Sequence, residues 1–236
     1  IARQQGIHAE LLPSPLMSYG SDQAILQFLL DAEPDLVGLS CYLWNLERSL
    51  YLAGQIKRHI PKCTVVVGGP EITPENGFLL QHRDFDIGVV GEGEEVWNIL
   101  LQSFPKIRFI PGLLLKGEKG QWDYSGDRLR RPPLGHGPSP FLSGLLDSHL
   151  NRVLWLETVR GCAYRCAYCY YHKQSPHLRT FPLERIFKEV RRALSQGLEE
   201  IVFLDPCFSR RPNLEPLLEG LVTYNSDRRL HLHAEC

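Results

Sequence analysis

The chain has 236 residues, 43% hydrophobic and 22% charged, with a formal net charge of −1. That composition predicts a soluble globular protein with real apolar cores, in one large domain or two modest ones. The near-neutral charge and the lack of any apolar run near the ~18 residues of a spanning helix predict no nucleic-acid partner and no membrane partner.

The N-terminus, "IARQQGIHAE", has no signal-peptide core. It starts at Ile1 as if inside the last turn of a helix, with Gly6 as its C-cap, and the chain stops at Cys236 after a strand-like run. These ends predict a fragment, or the product of a truncated gene. Strand-like runs follow at 7–13 ("IHAELLP"), 36–40 ("LVGLS"), 64–69 ("TVVVGG") and 86–91 ("DIGVVG"). Helical patterns lie between them. Ser21 and Asp22 cap one with Ile25, Phe28 and Leu29 on its apolar face. Asn45 caps the next, with Leu46, Leu50, Ala53, Ile56 and Ile60 in line, and a third covers 94–103. The runs at 64–67 and 87–90 are apolar throughout, the pattern of parallel strands buried on both faces. Repeated strand–helix units of this kind predict an open, doubly wound sheet, which binds ligands beyond the carboxyl ends of its strands.

Residues 112–126 read as a β-hairpin, and the Pro-, Gly- and Arg-rich stretch 127–140 as a linker. Within it, "RLRRP" (128–132) reads as a solvated run. A strand at 152–159 then leads into the cysteine loop. Pro182 opens a helix that Gly197 closes, with Leu183, Ile186, Phe187, Val190 and Leu194 in its stripe. A strand at 200–205, a helix near 213–224 and a strand at 229–235 complete a βαβαβ series, the opening of an α/β barrel or of a further open sheet. The predicted domains are 1–110, a hairpin and linker over 111–148, and 149–236.

Seven cysteines, an odd number with three clustered, argue against a secreted disulfide framework. They predict metal or redox chemistry in a reducing, cytoplasmic compartment. Cys162, Cys166 and Cys169 are spaced C-x3-C-x2-C, just past the carboxyl end of a strand, where α/β barrels place their chemistry. Zinc needs four ligands; His172, His177 or a distant cysteine would have to complete the set, and no second cysteine pair exists. Three thiolates suit an iron–sulfur cube with one iron left open. Three unligated loop cysteines are the bland alternative. Arg165 between the ligands favours thiolates or faces water, and Glu157 pairs with Arg160 or Arg165. Cys41 and Cys63 read as packing residues, and Cys207 reads as a buried free thiol before a second reactive one.

"GCAYRCAYC" after a strand resembles the radical S-adenosylmethionine (SAM) superfamily motif, with Tyr168 in its aromatic slot. The resemblance implies that Cys162, Cys166 and Cys169 hold a [4Fe-4S] cluster and that S-adenosyl-L-methionine chelates the open iron. One electron then yields a 5′-deoxyadenosyl radical, with Tyr168 against the adenine. It further implies that Asp205 helps hold the methionine end, a role set against a plain turn or capping aspartate. Glu235 is a candidate for the ribose or amino group. An electron donor such as a flavodoxin or ferredoxin is implied, and a small-molecule or peptide substrate of unknown identity.

The first half, through "VGLSCYLWN", "VVVGGPEITPE" and "VVGEGEE", resembles the cobalamin-binding domain fused to many superfamily members. That implies Ser40, Cys41 and Tyr42 beside the nucleotide tail of cobalamin, and Gly68, Gly69 and Pro70 along its path. Glu92, Gly93 and Glu94 complete the rim. The implied fold is α/β: a doubly wound Rossmann-like sheet of cobalamin-binding type, its first strand missing, followed by the first half of a radical SAM partial (TIM-like) barrel. The implied function is cobalamin-dependent methyl transfer to an unactivated centre. The alternatives are a radical SAM protein without cobalamin, doing another rearrangement or cyclisation, and an inactive truncated fragment acting only as a binding module.

Overall fold

The computed structural model describes residues 2–107, 110–117, 120–126, 133–147, 152–171, 175, 177–227 and 229–235. His172, Cys236 and the run 128–132 lie outside the described residues. The chain forms two compact units, residues 1–131 and 132–236. Among the described residues no helix is long and apolar enough to cross a membrane.

In the first unit, α1 (Ser14–Tyr19) and α2 (Asp22–Ala32) precede β1 (Leu36–Ser40). Then come α3 (Leu46–His59), β2 (Thr64–Gly68), α4 (Gly77–Gln81), β3 (Ile87–Val89) and α5 (Glu94–Ser103). The hairpin β4 (Leu113–Lys116) and β5 (Trp122–Tyr124) follows. The sheet order is β1-β2-β3-β4-β5, with the first three strands parallel. Val65, Val66 and Val67 of β2 are all buried, although successive strand residues face opposite ways. Val65 and Val67 share a core with Leu46, Leu50, Ala53 and Ile56 of α3. Val66 shares another with Ile87, Val96 and Leu100, the last two on α5. Helices therefore cover both faces of the sheet, and each buried Val or Leu contributes about 1.5–3 kcal/mol. This is the doubly wound arrangement that the apolar runs predict.

Three details differ from expectation. Residues 7–13 form no strand. The hairpin is no part of a connection: β4 pairs antiparallel with β3, and so it extends the first sheet. Asn45 stands at the N-cap of α3 without a side-chain cap bond. Its amide instead accepts from the Tyr42 amide at 2.7 Å and donates to the Ser40 carbonyl at 3.0 Å. Ser21 does cap α2, accepting from the Ala24 amide.

In the second unit, β6 (Val153–Leu156), β9 (Glu200–Phe203) and β10 (His231–His233) form a parallel sheet in the order β10-β9-β6. Between β6 and β9 lie β7 (Val159–Arg160), β8 (Arg179–Thr180) and α6 (Leu183–Ser195); α7 (Leu214–Tyr224) joins β9 to β10. Leu154, Leu156, Ile201 and Phe203 pack with Ile186 and Val190 of α6 and Leu217 and Leu221 of α7. The alternate residues Trp155 and Leu204 are exposed, so helices cover one face of this sheet and not the other. That one-sided cover is the pattern of an opening α/β barrel. Helix α6 ends in paired bonds from Gly197 N to Leu194 O and from Leu198 N to Ala193 O, the Schellman closure, which tucks Leu198 into the same core.

Candidate functional site

The cysteine loop leaves the second unit at the carboxyl end of β6. Asp205, just past β9, pins its start. The Asp205 carboxylate is buried and accepts from the Thr158 amide at 2.6 Å, the Val159 amide at 2.9 Å and the Thr158 hydroxyl. The Arg211 guanidinium donates to the Thr158 carbonyl and, at 3.1 Å, to the Phe181 carbonyl. Burial pushes the Asp205 carboxyl above its ordinary value, against the opposing pull of Thr158, Val159 and Arg211. The carboxylate therefore serves the backbone that feeds the loop. Arg211, also buried, gave no signal in the sequence, because its partners lie at least 30 residues away.

The loop turns at Gly161, whose φ is +101°. A Cβ there would lie 2.1 Å from the His177 carbonyl oxygen, so only glycine fits. The Cys162 amide donates to the Ser175 carbonyl at 3.1 Å, and β7 pairs with β8, which fastens the two ends of the loop together. Glu157 takes Arg160, not Arg165, in a bidentate pair with both contacts at 2.8 Å. Cys162 and Cys169 are half-buried, Cys166 is exposed, and Tyr168 is 93% exposed. His177 and Arg165 are exposed, and so is Glu235, two residues beyond β10.

None of these three thiols is in a disulfide. Three free thiols on one accessible loop are the donor set of an iron–sulfur cube. Among the described residues no three His, Cys, Asp or Glu side chains converge on a single ion. Three thiols are what a cube with one open iron asks of the chain. The loop fits the cube.

In the first unit, parallel strands bring their carboxyl ends to one edge. The Cys41 amide donates to the Gly68 carbonyl at 2.6 Å, and the Cys41 carbonyl accepts from the Glu71 amide at 3.2 Å. Gly69 has a φ of +117°, and a Cβ there would lie 2.6 Å from the Cys41 carbonyl oxygen. Ser40, Cys41 and Tyr42 thus lie against Gly68, Gly69 and Pro70. Glu92 and Gly93 follow β3 on the same edge, with Gly93 at the N-cap of α5 and Glu94 in its first turn. Cys41 itself is fully buried; burial pushes its thiol up to about 11, so it packs and does not line a surface.

Leu43 and Trp44 were not singled out in the sequence, yet each is 80% exposed. Trp44 stacks on Tyr42, with ring centroids 4.7 Å apart and planes 13° from parallel. The apolar run "CYLW" directly after a strand end was the available signal. Backbone exposed by glycine beside a stacked aromatic pair suits a large ligand with flat apolar parts.

Comparison with known proteins gives two family matches, the B12 binding domain over residues 1–101 and the Radical SAM superfamily over residues 156–235. The chain is 32% identical over 196 residues to the cobalamin-dependent radical SAM methyltransferase TokK of Streptomyces tokunonensis, covering 76% of this chain and 28% of that protein. It matches the 2-(S-pantetheinyl)-carbapenam-3-carboxylate methyltransferase of Streptantibioticus cattleyicolor at the same identity and coverage. The chain thus spans under a third of the length of these curated relatives. Among solved structures, TsrM of Kitasatospora setae, with cobalamin and a [4Fe-4S] cluster bound, has a TM-score of 0.72 at 18% identity, covering 98% of this chain and 49% of that one. OxsB, a cobalamin-dependent S-adenosylmethionine radical enzyme with aqua-cobalamin and S-adenosylmethionine bound, has a TM-score of 0.69 at 24% identity, covering 88% of this chain and 31% of that one. At these identities the two structures speak to the fold alone.

Proposed function

This chain carries a B12-binding domain and a radical SAM domain, and from that premise we propose that it acts as a cobalamin-dependent radical SAM methyltransferase. The observation that carries the reading is the loop itself: three accessible thiols at C-x3-C-x2-C spacing, at the carboxyl end of a parallel strand. When bound, the cluster supplies the electron that divides S-adenosylmethionine into methionine and a 5′-deoxyadenosyl radical, and cobalamin carries the methyl group to an unactivated centre.

The chain's own residues bind and orient. Cys162, Cys166 and Cys169 hold the cluster. Tyr168, nearly free of protein contact, offers its ring to the adenine. Asp205 acts through Thr158 and Val159, by fixing the strand before Cys162, and is a positioning residue. Glu235 presents a carboxylate for the ribose or amino group. In the first unit, the backbone of Gly68 and Gly69 and the stacked Tyr42 and Trp44 receive cobalamin, with Ser40 and Glu92 to Glu94 on the same edge. A small iron–sulfur or flavin protein such as a ferredoxin or flavodoxin delivers the electron.

The test is anaerobic reconstitution. The chain should take up about four irons and gain visible charge-transfer absorption, and Cys166→Ala should lose both. Cys63→Ala, a packing position, should keep them. A cluster undisturbed by Cys166→Ala would overturn the proposal. Retention of cobalamin through gel filtration separates a cobalamin-dependent enzyme from a radical SAM protein that lacks it.

A further inference from the structure

Arg211 is 5% exposed, and the two hydrogen bonds described for its guanidinium both end on backbone carbonyls. Its Nη1 donates to the Thr158 carbonyl, where the chain enters the cysteine loop. Its Nη2 donates at 3.1 Å to the Phe181 carbonyl, directly after β8, where the chain has left the loop. The Phe181 amide in turn donates to the Thr158 carbonyl at 3.0 Å. Thr158, Phe181 and Arg211 therefore close a ring of three bonds across the neck, one residue pair outside the β7–β8 ladder.

The same bonds fix the plane of one peptide group. The Thr158 carbonyl and the Val159 N–H belong to a single planar unit. Arg211 holds its oxygen end, and the Asp205 carboxylate holds its N–H end at 2.9 Å. A cation at the carbonyl and an anion at the N–H match the dipole of that unit, and hydrogen bonds to ions are stronger than neutral ones. Turning the unit would break both. The heading of the chain toward Cys162 is thus set four residues before the first thiol.

The Nε of Arg211 is buried and has no hydrogen-bond partner among the described residues. A residue needed only to fill this space would be apolar, because burying a charge is costly. The two carbonyls supply the reason for arginine. A planar fork reaches both with separate nitrogens, whereas a lysine keeps the charge on one nitrogen. Arg210 beside it has a different contact. It is exposed, and its guanidinium carbon lies 5.9 Å from the ring centre of Tyr164, within the loop.

We propose that Arg211 is a positioning residue for the cluster loop, its guanidinium fork clamping the entering strand to the leaving one and so fixing where Cys162 stands relative to Cys166 and Cys169. The clamp on the neck stands on the hydrogen bonds alone. Its consequence for a cluster rests on the function proposed above.

The experiment measures amide hydrogen exchange by NMR in the cluster-free, reduced chain, for the wild type, Arg211→Lys, Arg211→Gln and Arg210→Ala. The probes are the Cys162 and Phe181 amides at the neck, with the amides of α6 as the internal reference. Exchange at the neck should speed up by about tenfold or more in both Arg211 variants, while α6 keeps its wild-type protection. Arg210→Ala should leave the neck unchanged. After anaerobic reconstitution, the Arg211→Lys chain should retain less iron through gel filtration, and the electron paramagnetic resonance signal of its reduced cluster should broaden. Neck protection that is unchanged in both variants, or fully restored by lysine, would overturn the clamp. An equal loss of protection in α6 would make Arg211 a residue of general stability and would overturn it too. A loosened neck with wild-type iron and an unaltered signal would overturn its link to the cluster. If the wild type takes up no cluster, the function proposed above fails, and exchange in the cluster-free chain still decides the clamp.

Discussion

Asp205 and Thr158 are 47 positions apart in sequence, yet one carboxylate receives both the amide and the hydroxyl of that threonine. The end of β9 is thereby joined to the residue from which the cluster loop departs. Neither group touches solvent to any extent; Thr158 is 0% and Asp205 2% exposed. The loop's position is set by this buried join, while its thiols remain accessible.

Asp205→Ala leaves the Thr158 and Val159 amides and the Thr158 hydroxyl without their acceptor. Each buried donor left unsatisfied in this way costs about 1–3 kcal/mol. The urea midpoint of the second unit's transition should fall accordingly, and reconstituted iron should fall with it.

The pH dependence has a defined sign. Burial holds the Asp205 carboxyl above its unfolded value, so its contribution is complete below that value and is lost as pH rises through the folded one. Asp205→Asn removes the titration. Its stability should therefore vary less than the wild type's across the acid range, in urea melts from pH 3 to pH 7, on the order of the usual carboxylate window.

Gly161→Ala forces a methyl into the His177 carbonyl, which is backbone and cannot swing aside. The variant should lose the cluster entirely while the first unit's circular dichroism and cobalamin retention stay as in the wild type. An alanine that still loads iron would show that the crossing of residues 161 and 177 is not needed.

Thiol reactivity should separate the described cysteines into two sets. In the cluster-free, reduced chain, iodoacetamide should label Cys162, Cys166 and Cys169 and spare Cys41, Cys63 and Cys207, which are buried. For Cys41 the thiol is raised from 9.0 to about 11. Its contribution to stability is therefore complete below the lower value and is lost as pH climbs through the upper one. Labelling of Cys41 should begin only as the unit loosens in that alkaline range.

Tyr168→Ala removes an exposed ring and should change stability by no more than about 0.5 kcal/mol. Stacking of one base on an aromatic side chain is worth about 1–3 kcal/mol, so S-adenosylmethionine binding to the loaded chain should weaken by about tenfold. Equilibrium dialysis measures it directly.

The sequence carried the regular parts of the fold well, for physical reasons. A run such as "TVVVG" has no polar face, which forces β2 to the middle of a covered sheet. The stripe from Leu183 to Leu194 repeats at the helical period, and α6 buries that stripe. Residues 7–13 misled because a short run of mixed apolar and polar residues carries only a weak strand preference, which its surroundings decide. The hairpin's destination was hidden because antiparallel pairing to β3 leaves no mark in the hairpin itself. At the site, the three cysteines were legible from spacing. Arg211 and the buried task of Asp205 were not, since each depends on partners brought together only by the β6–β9 pairing.

The short β7–β8 ladder and the bond from Cys162 N to Ser175 O close the neck of the loop. Three thiols on a tethered ring meet an incoming ion at an effective concentration set by that ring and not by the whole unfolded chain. Once one thiolate has bound iron, the next two thiolate–iron bonds are intramolecular. For the cluster proposed here, the three ligands are therefore gathered by one short tether and not by the length of the chain.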